Sequence, residues 1–530
     1  MTDAESEPPP SALAPLRNRV FAALWLATVA SNVGTWMNDV GAGWLMTTLA
    51  PSPAMVALVQ TATTLPVFLF ALPAGALADI VDRRTLLLVV NTVMLACAAG
   101  LTVLVAANGM TAELLLLFTF LLGAGAAFIA PAWQAIVPGL VDRADLPAAI
   151  SLNSIGINIS RAIGPALAGV LIASVGLYAP FLINALSFLG ILAVLWFWKG
   201  EARDSTRLPP EGLVPAAIAG LRYARRSPPL QRTILRALTF FVFASAYWAM
   251  LPLIARDVLG GGSALYGLLL ACVGAGAVGG AALLPAIRRR IEINRLVMFG
   301  ALGTACAIAV MAAVASPAAA AAAAVLAGAS WIAVLSSFHV AAQTALPNWV
   351  RARGLSLFLT AFFGAMSGGA LMWGLIAEQI GVTPALLLAA VAMAVAAVAA
   401  RGIRLERSDG SEHMASAHWS VLPLIPADEA DAGPVMVTVD YRLDPDRRPE
   451  FDRLIARLRE TRLRDGAYGW QLYRPLEEDG VLREAFMLQS WTDHMRQHER
   501  VTEAERILQE EIATLMLDGE KPTVRHHLPA

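Results

Sequence analysis

Two charged side chains stand inside stretches that are otherwise apolar, and they are the residues of this sequence best placed to do chemistry. Arg161 lies near the middle of one such stretch, among Asn153, Ser154, Asn158 and Ser160. On a helix Ser154, Asn158 and Arg161 share one face, a surface suited to an anion or a hydrogen-bonding group, or to a structural clamp on a neighbouring helix. Asp39 lies toward the end of another stretch, with Asn32, Trp36 and Asn38 close in sequence. A carboxylate in such surroundings either pairs with an arginine or takes up and releases a proton. Trp36, Trp133, Tyr247, Trp248 and Trp331 offer faces on which an aromatic molecule could stack. His339, near Ser336 and Ser337, reads as an interhelical hydrogen bond. Glu113, Glu378 and the Arg256–Asp257 pair read as groups that simply face water.

The elements that must carry these residues follow from composition. Of 530 residues 57% are hydrophobic and only 15% charged, against a usual ~25%, and the mean hydropathy is +0.62. The charge is uneven: 42 of 79 charged residues follow residue 402. This pattern excludes a string of ordinary water-soluble domains and reads as a membrane part followed by a polar one. A membrane-crossing helix needs roughly 20 apolar residues. Twelve runs qualify, at 20–49, 54–78, 85–107, 112–138, 148–174, 179–198, 232–258, 264–287, 294–315, 317–345, 354–378 and 383–402. The first is too long for a cleaved signal and leads straight into the second. The organisation expected is an N-terminal tail (1–19), a six-helix half (20–198), a connecting loop (199–231), a second six-helix half (232–402), a linker (403–434) and an α+β domain (435–530).

Basic residues set the orientation. Arg17, Arg19, Arg83, Arg84, Arg143, seven residues between Lys199 and Arg232, the Arg288–Arg290 run with Arg295, and Arg351 and Arg353 all fall on one side, and only Arg256 on the other. The positive-inside rule then places both termini in the cytoplasm. The connecting loop contains LVPAAIAGLRYARR, an amphipathic helix suited to a membrane surface. The halves echo one another: Gln134 to Val141 and Gln343 to Val350 both read Q-x-x-x-P-x-x-V. Repeated halves with a site between them near the midplane are a transporter architecture.

The segment GALADIVDRR resembles the signature loop of the major facilitator superfamily at Gly75, Asp79, Arg83 and Arg84, with Ile80 and Asp82 departing from it. The resemblance implies a gating latch in which the glycine permits close helix approach, Asp79 bonds a neighbouring helix end and the arginines anchor the inner surface. Gly164, Pro165 and Gly169 resemble the core of the superfamily's antiporter motif, with Ser151 and Ser160 in place of upstream glycines; that likeness implies export, the alternative being a plain packing kink. PAWQAIVPGLV and LNSIGINISRAIGPALAG, with the long tail, resemble the bacterial enterobactin-exporter-like branch.

In the tail, 435–443 alternates like a strand, 448–466 has helical spacing, two strands flank EEDG, a long helix spans 493–517, and TVRHHL closes as a strand. The β-α-β-β-α-β order fits a ferredoxin-like unit and resembles the dimeric α+β barrels of antibiotic-biosynthesis monooxygenases. Tyr441, Trp470, Trp491 and His494 could line a pocket there. His494 and His498, at i and i+4, suit a metal, but with no third ligand in view the pair reads as a solvated helix face and no metal is expected.

The fold class expected is therefore an all-α membrane protein of twelve helices in two halves, plus a ferredoxin-like α+β domain. The function expected is proton-driven export of a small organic molecule, drug-like or siderophore-like, across a bacterial inner membrane. Asp39 is the proton-coupling candidate. Asn32, Trp36, Ser154, Asn158, Arg161 and Trp248 are the cavity candidates. No catalytic residue and no cofactor beyond the proton gradient are expected. The partners expected are the substrate, the lipid bilayer and a second copy joined through the tail; neither part is basic enough for nucleic acid. The rival readings are an importer on the same fold, or an enzyme or sensor acting through the tail.

Overall fold

The computed structural model describes residues 13–198, 213–405, 416 and 433–529, apart from 51, 143, 348 and 479. Most of the expected connecting loop before the amphipathic helix, and most of the linker at 403–434, lie outside the described residues, as does Arg143.

Twelve described helices are long and apolar enough to cross a membrane. The first half comprises α1 (Arg19–Leu49), α2 (Pro53–Ile80), α3 (Arg83–Ala106), α4 (Ala112–Leu140), α5 (Leu146–Ser174) and α6 (Ala179–Phe197). After the short α7 (Leu213–Arg225) come α8 (Pro228–Leu253), α9 (Ser263–Arg288), α10 (Ile293–Ala313), α11 (Pro317–Thr344), α12 (Arg351–Ile380) and α13 (Val382–Ala399). Each begins and ends within a few residues of the apolar run that foretold it. The ends are set by polar caps: Asn18, Ser52, Asp82 and Thr111 accept from the first backbone N–H groups of α1 to α4. α8 runs on into one π-helical turn, Ile254–Val258.

Two compact units emerge. One combines 1–209, 234–338 and 359–404, which is most of the helical bundle. In it α2 packs on α4, α1 on α5 and α6, α3 on α6, α10 on α13, and α5 crosses between the halves to pack on α9. The second gathers 210–233, 339–358 and 405–530: the amphipathic helix α7, the α11–α12 turn and the tail.

The tail reads β1 (Val435–Arg442), α14 (Arg448–Arg464), β2 (Tyr468–Tyr473), β3 (Val481–Leu488), α15 (Trp491–Arg500), α16 (Glu503–Ala513) and β4 (Thr523–His527). The strands form one antiparallel sheet in the order β2-β3-β1-β4. Val435, Val437, Val439 and Tyr441 of β1 face Phe451, Ile455 and Leu458 of α14 in a buried core shared with Leu508 and Ile512 of α16. The single long helix expected at 493–517 is two: the chain turns extended at Val501, and α16 starts afresh after Thr502. α14 ends as foretold before Gly466, whose φ of +123° only glycine adopts cheaply.

Candidate functional site

α5 is pressed against α1 along a small-residue stripe. A Cβ added at Gly156 would stand 2.7 Å from Val29, and one at Gly164 would stand 2.6 Å from the Trp36 Cβ. Ser160, between them and fully buried, places its hydroxyl 3.1 Å from the Val29 carbonyl. This packing aims Arg161, the next residue, at Trp36: the guanidinium lies 5.5 Å from the indole centroid, a cation–π contact. The Nε of Arg161 is buried and makes no hydrogen bond.

The expected polar face of α5 is partly spent on its own backbone. The Asn158 amide donates to the Ser154 carbonyl at 2.8 Å, and the Ser154 hydroxyl to the Ile150 carbonyl at 3.1 Å. Asn32, Trp36 and Asp39 are each half-buried on α1. Asp39 and Arg161 do not form an ion pair among the described residues. Asp39 sits beside Asn38 and within electrostatic reach of Tyr266 on α9, whereas Arg161 is within reach of Tyr247 on α8. Tyr266 stacks on Trp44 at 6.2 Å. Nothing in the sequence pattern marked Tyr266.

Opposite Arg161, the second half presents an aromatic wall. Tyr247 packs on Trp248 at 5.3 Å, Trp248 on Trp331 at 5.5 Å, Trp331 on Phe241 at 5.4 Å and Phe241 on Phe362 at 4.4 Å. Among the described residues the Tyr247 hydroxyl and the Trp248 indole N–H are buried without hydrogen-bond partners. Together with the Arg161 Nε they are unspent donors, which buried polar groups rarely remain. Phe241 and Phe362 were missed from sequence, although Phe241 and Trp248 are seven apart and so share a helix face. Trp133, by contrast, belongs to an apolar cluster with Phe21, Leu24 and Leu86.

The halves are joined away from the end where α1 begins. A Cβ at Gly169 would stand 2.9 Å from the Ser263 carbonyl, and one at Gly267 would stand 2.6 Å from the Pro165 carbonyl, so the antiporter-like residues are where α5 touches α9. Thr61 of α2 donates to the Ser367 carbonyl of α12 at 3.2 Å. Glu378 does more than face water: it accepts from the Ser52 hydroxyl at 2.6 Å and the Ala54 N–H at 3.2 Å, capping α2 from the other half. Arg256, besides pairing with Asp257, donates to the Thr47 carbonyl of α1.

The signature-like loop differs from expectation. Among the described residues nothing lies within 4 Å of a Cβ built at Gly75; the side chain of Asp79 lies outside the described residues. Asp82, where the family has glycine, caps α3 through Thr85. Arg84 donates to the Leu195 and Trp196 carbonyls at 2.9 and 2.8 Å, complementing the C-terminal dipole of α6; Arg83 is also engaged. Ser336 and Ser337 are bonded by Arg288, while the His339 ring meets Phe358 edge-on at 5.2 Å.

In the tail, Tyr441 and Trp470 converge on one carboxylate. Both donate at 2.8 Å to Glu484, a fully buried carboxylate that Arg462 also approaches at 3.3 Å. Trp491 and His494 belong to a separate cluster. His494 is 1% exposed, which overturns the solvated helix face, and its neighbours are His498 and His526 on β4.

The comparisons with known proteins bear on the whole chain. Residues 10–530 match the family described as transmembrane secretion effector, a group of major facilitator proteins. The staphyloferrin A transporter of Staphylococcus aureus is 25% identical over 49% of this chain, an alignment spanning 65% of that protein. The enterobactin exporter EntS of Citrobacter koseri is 26% identical over 67% of this chain and 85% of its own length. The multidrug efflux pump Tap of Mycobacterium tuberculosis is 30% identical over 37% of this chain and 49% of its own. Among solved structures, a bacterial homologue of the human lysosomal transporter Spinster, inward-facing and unoccupied, superposes with a TM-score of 0.58 at 15% identity over 73% of this chain and 97% of that one. That likeness shows the fold. These matches are transporters, not enzymes.

Proposed function

Because the chain belongs to the transmembrane secretion effector family of the major facilitator superfamily, we propose that it exports a small, anionic, aromatic or hydrogen-bond-accepting molecule across a bacterial inner membrane in exchange for protons. The observation that carries the substrate class is Arg161. It is held over Trp36 with an unspent buried Nε, and the wall within its electrostatic reach adds two further unspent donors, Tyr247 Oη and Trp248 Nε1. A charged guanidinium in a span persists only where something compensates it, and an anion bound against an aromatic wall would do so. The transporters of siderophores and drugs among its relatives support that class.

Asp39 is the proton carrier in this reading. It is half-buried, free of a competing arginine, and near enough to Tyr266 for its charge state to be felt on α9, in the other half. Alternating access requires that the ties through Gly169, Thr61, Glu378 and Arg256 break and re-form, and the basic-residue asymmetry places that end outside.

Accumulation of fluorescent amphiphiles, aromatic antibiotics and catecholate-type chelators in efflux-depleted cells tests the proposal. The wild-type protein should lower accumulation of anionic aromatic compounds, and a protonophore should abolish the effect. Asp39→Asn should remove the protonophore-sensitive part. Arg161→Ala should raise the concentration for half-maximal transport of anionic substrates at least tenfold and leave neutral ones little changed. Equal transport of both classes by Arg161→Ala would sink the anion assignment, and accumulation above the empty control would make the protein an importer.

A further inference from the structure

The tail contains a cluster that the transport reading does not use. His494 and His498 stand one turn apart on α15, and His526 comes from β4, 28 residues further along the chain. The route is the sheet: β4 pairs with β1 so that His526 lies opposite Val437, whose side chain points into the helix-covered core, whereas His527 lies opposite Met436 on the other face. One nitrogen from each imidazole can be chosen so that all three lie within 4.8 Å of one another. The ring centroids of His498 and His526 are 4.8 and 4.7 Å from that of His494. Trp491 closes the cluster at 5.4 Å from His494 and 5.7 Å from His526.

Two observations separate this cluster from a packed core histidine. His494 is 1% exposed, yet among the described residues neither of its ring nitrogens is hydrogen-bonded, and His526 Nε2 is likewise buried and unpartnered. A buried imidazole normally spends at least one nitrogen on a carbonyl or carboxylate, since leaving it unsatisfied is costly. The charge around it is also arranged. Arg462, the buried cation within electrostatic reach of His494, is matched by Glu484, so it is not an uncompensated positive charge.

We propose that His494, His498 and His526 form a site for one borderline divalent transition-metal ion of the zinc type, with a fourth coordination position left for water or another ligand. A set of three imidazoles selects against magnesium and calcium and favours zinc, copper, nickel or cobalt. In a tetrahedral site with metal–nitrogen bonds of about 2.0–2.1 Å, ligand nitrogens stand roughly 3.4 Å apart. The ligand nitrogens lie within 4.8 Å of one another in the ion-free fold, so binding draws them together by about 1.4 Å. The site resembles an open three-histidine centre rather than a closed structural one.

The test uses the full chain purified in detergent, stripped with a chelator, and titrated with Co(II). One equivalent should bind per chain, with the intense visible absorption of a four-coordinate cobalt centre, and Zn(II) should displace it. His526→Ala and His498→Ala should each weaken binding at least tenfold. His527→Ala, which alters the neighbouring histidine on the opposite face of the sheet, should leave binding unchanged. A second readout needs no histidine variant: Co(II) should quench tryptophan fluorescence in the wild type, and Trp491→Phe should remove most of that quenching. Absent visible bands, bands that survive in both His526→Ala and His498→Ala, or a His527→Ala loss as large as theirs would overturn the site.

Discussion

At the scale of single residues, the protein meets the cost of buried charge in two ways. Arg161 keeps a buried Nε with no hydrogen-bond partner among the described residues. Glu484 is the opposite: every approach to it is used, by Tyr441, Trp470 and Arg462, and nothing of it is exposed. Its role is therefore structural, and Glu484→Gln should test it. The amide keeps the volume but strands the Arg462 charge, and breaking a buried pair from one side costs about 3–5 kcal/mol. Thermal unfolding of the tail, followed by limited proteolysis of the full chain, should shift accordingly. The double variant Glu484→Leu with Arg462→Met should recover much of the loss, because it removes both charges. A tail as resistant in Glu484→Gln as in the wild type would show that Arg462 finds another partner.

At the scale of elements, the twelve spans were legible because a lipid-facing helix must be apolar along its whole length. The tail's strands were legible by their alternation. What stayed hidden has a common cause: it depends on which elements meet. His526 joins His494 only because β4 pairs with β1. The break in the tail's second helix rests on two extended residues, Val501 and Thr502, that no proline or glycine announces. The pairing of Asp39 with Arg161 was open from sequence; in the fold Arg161 is turned onto Trp36 and Asp39 lies nearer Tyr266. The antiporter-like residues were found as a motif, but their partner is seen only in the fold: Gly169 of α5 meets Gly267 of α9. Gly169→Leu should then hold the halves apart. Overpacking costs about 1–3 kcal/mol, enough to slow transport by roughly tenfold while membrane insertion is retained. Gly190→Leu is the control, since open space surrounds a Cβ there. Equal transport by the two variants, at equal abundance in the membrane, would show that the α5–α9 contact is not part of the cycle.

At the scale of the molecule, the tail does not form a compact unit by itself. Arg226 of α7 pairs with Glu460 of α14 at 2.7 Å, Arg464 lies over Tyr223 at 5.2 Å, and Arg500 lies over Trp349 of the α11–α12 turn at 4.4 Å. Tyr223 in turn donates to the Ala345 carbonyl at 3.2 Å. The Arg226–Glu460 pair is substantially exposed and worth little alone. The cation–π contacts, with part of each partner withdrawn from water, are worth about 0.5–2 kcal/mol each. Together they tie the tail to the helix between the halves and to the turn that joins two spans. Removing them should loosen those segments without unfolding the tail, whose core is made by its own strands and helices. Hydrogen exchange in detergent should therefore rise at 213–225 and 345–355 in the Glu460→Arg, Arg500→Ala variant, while protection in β1 and β3 persists. Loss of protection in β1 as well would mean that the tail needs those contacts to fold. Unchanged exchange at 213–225 and 345–355 would mean that the tail rests on them without holding them.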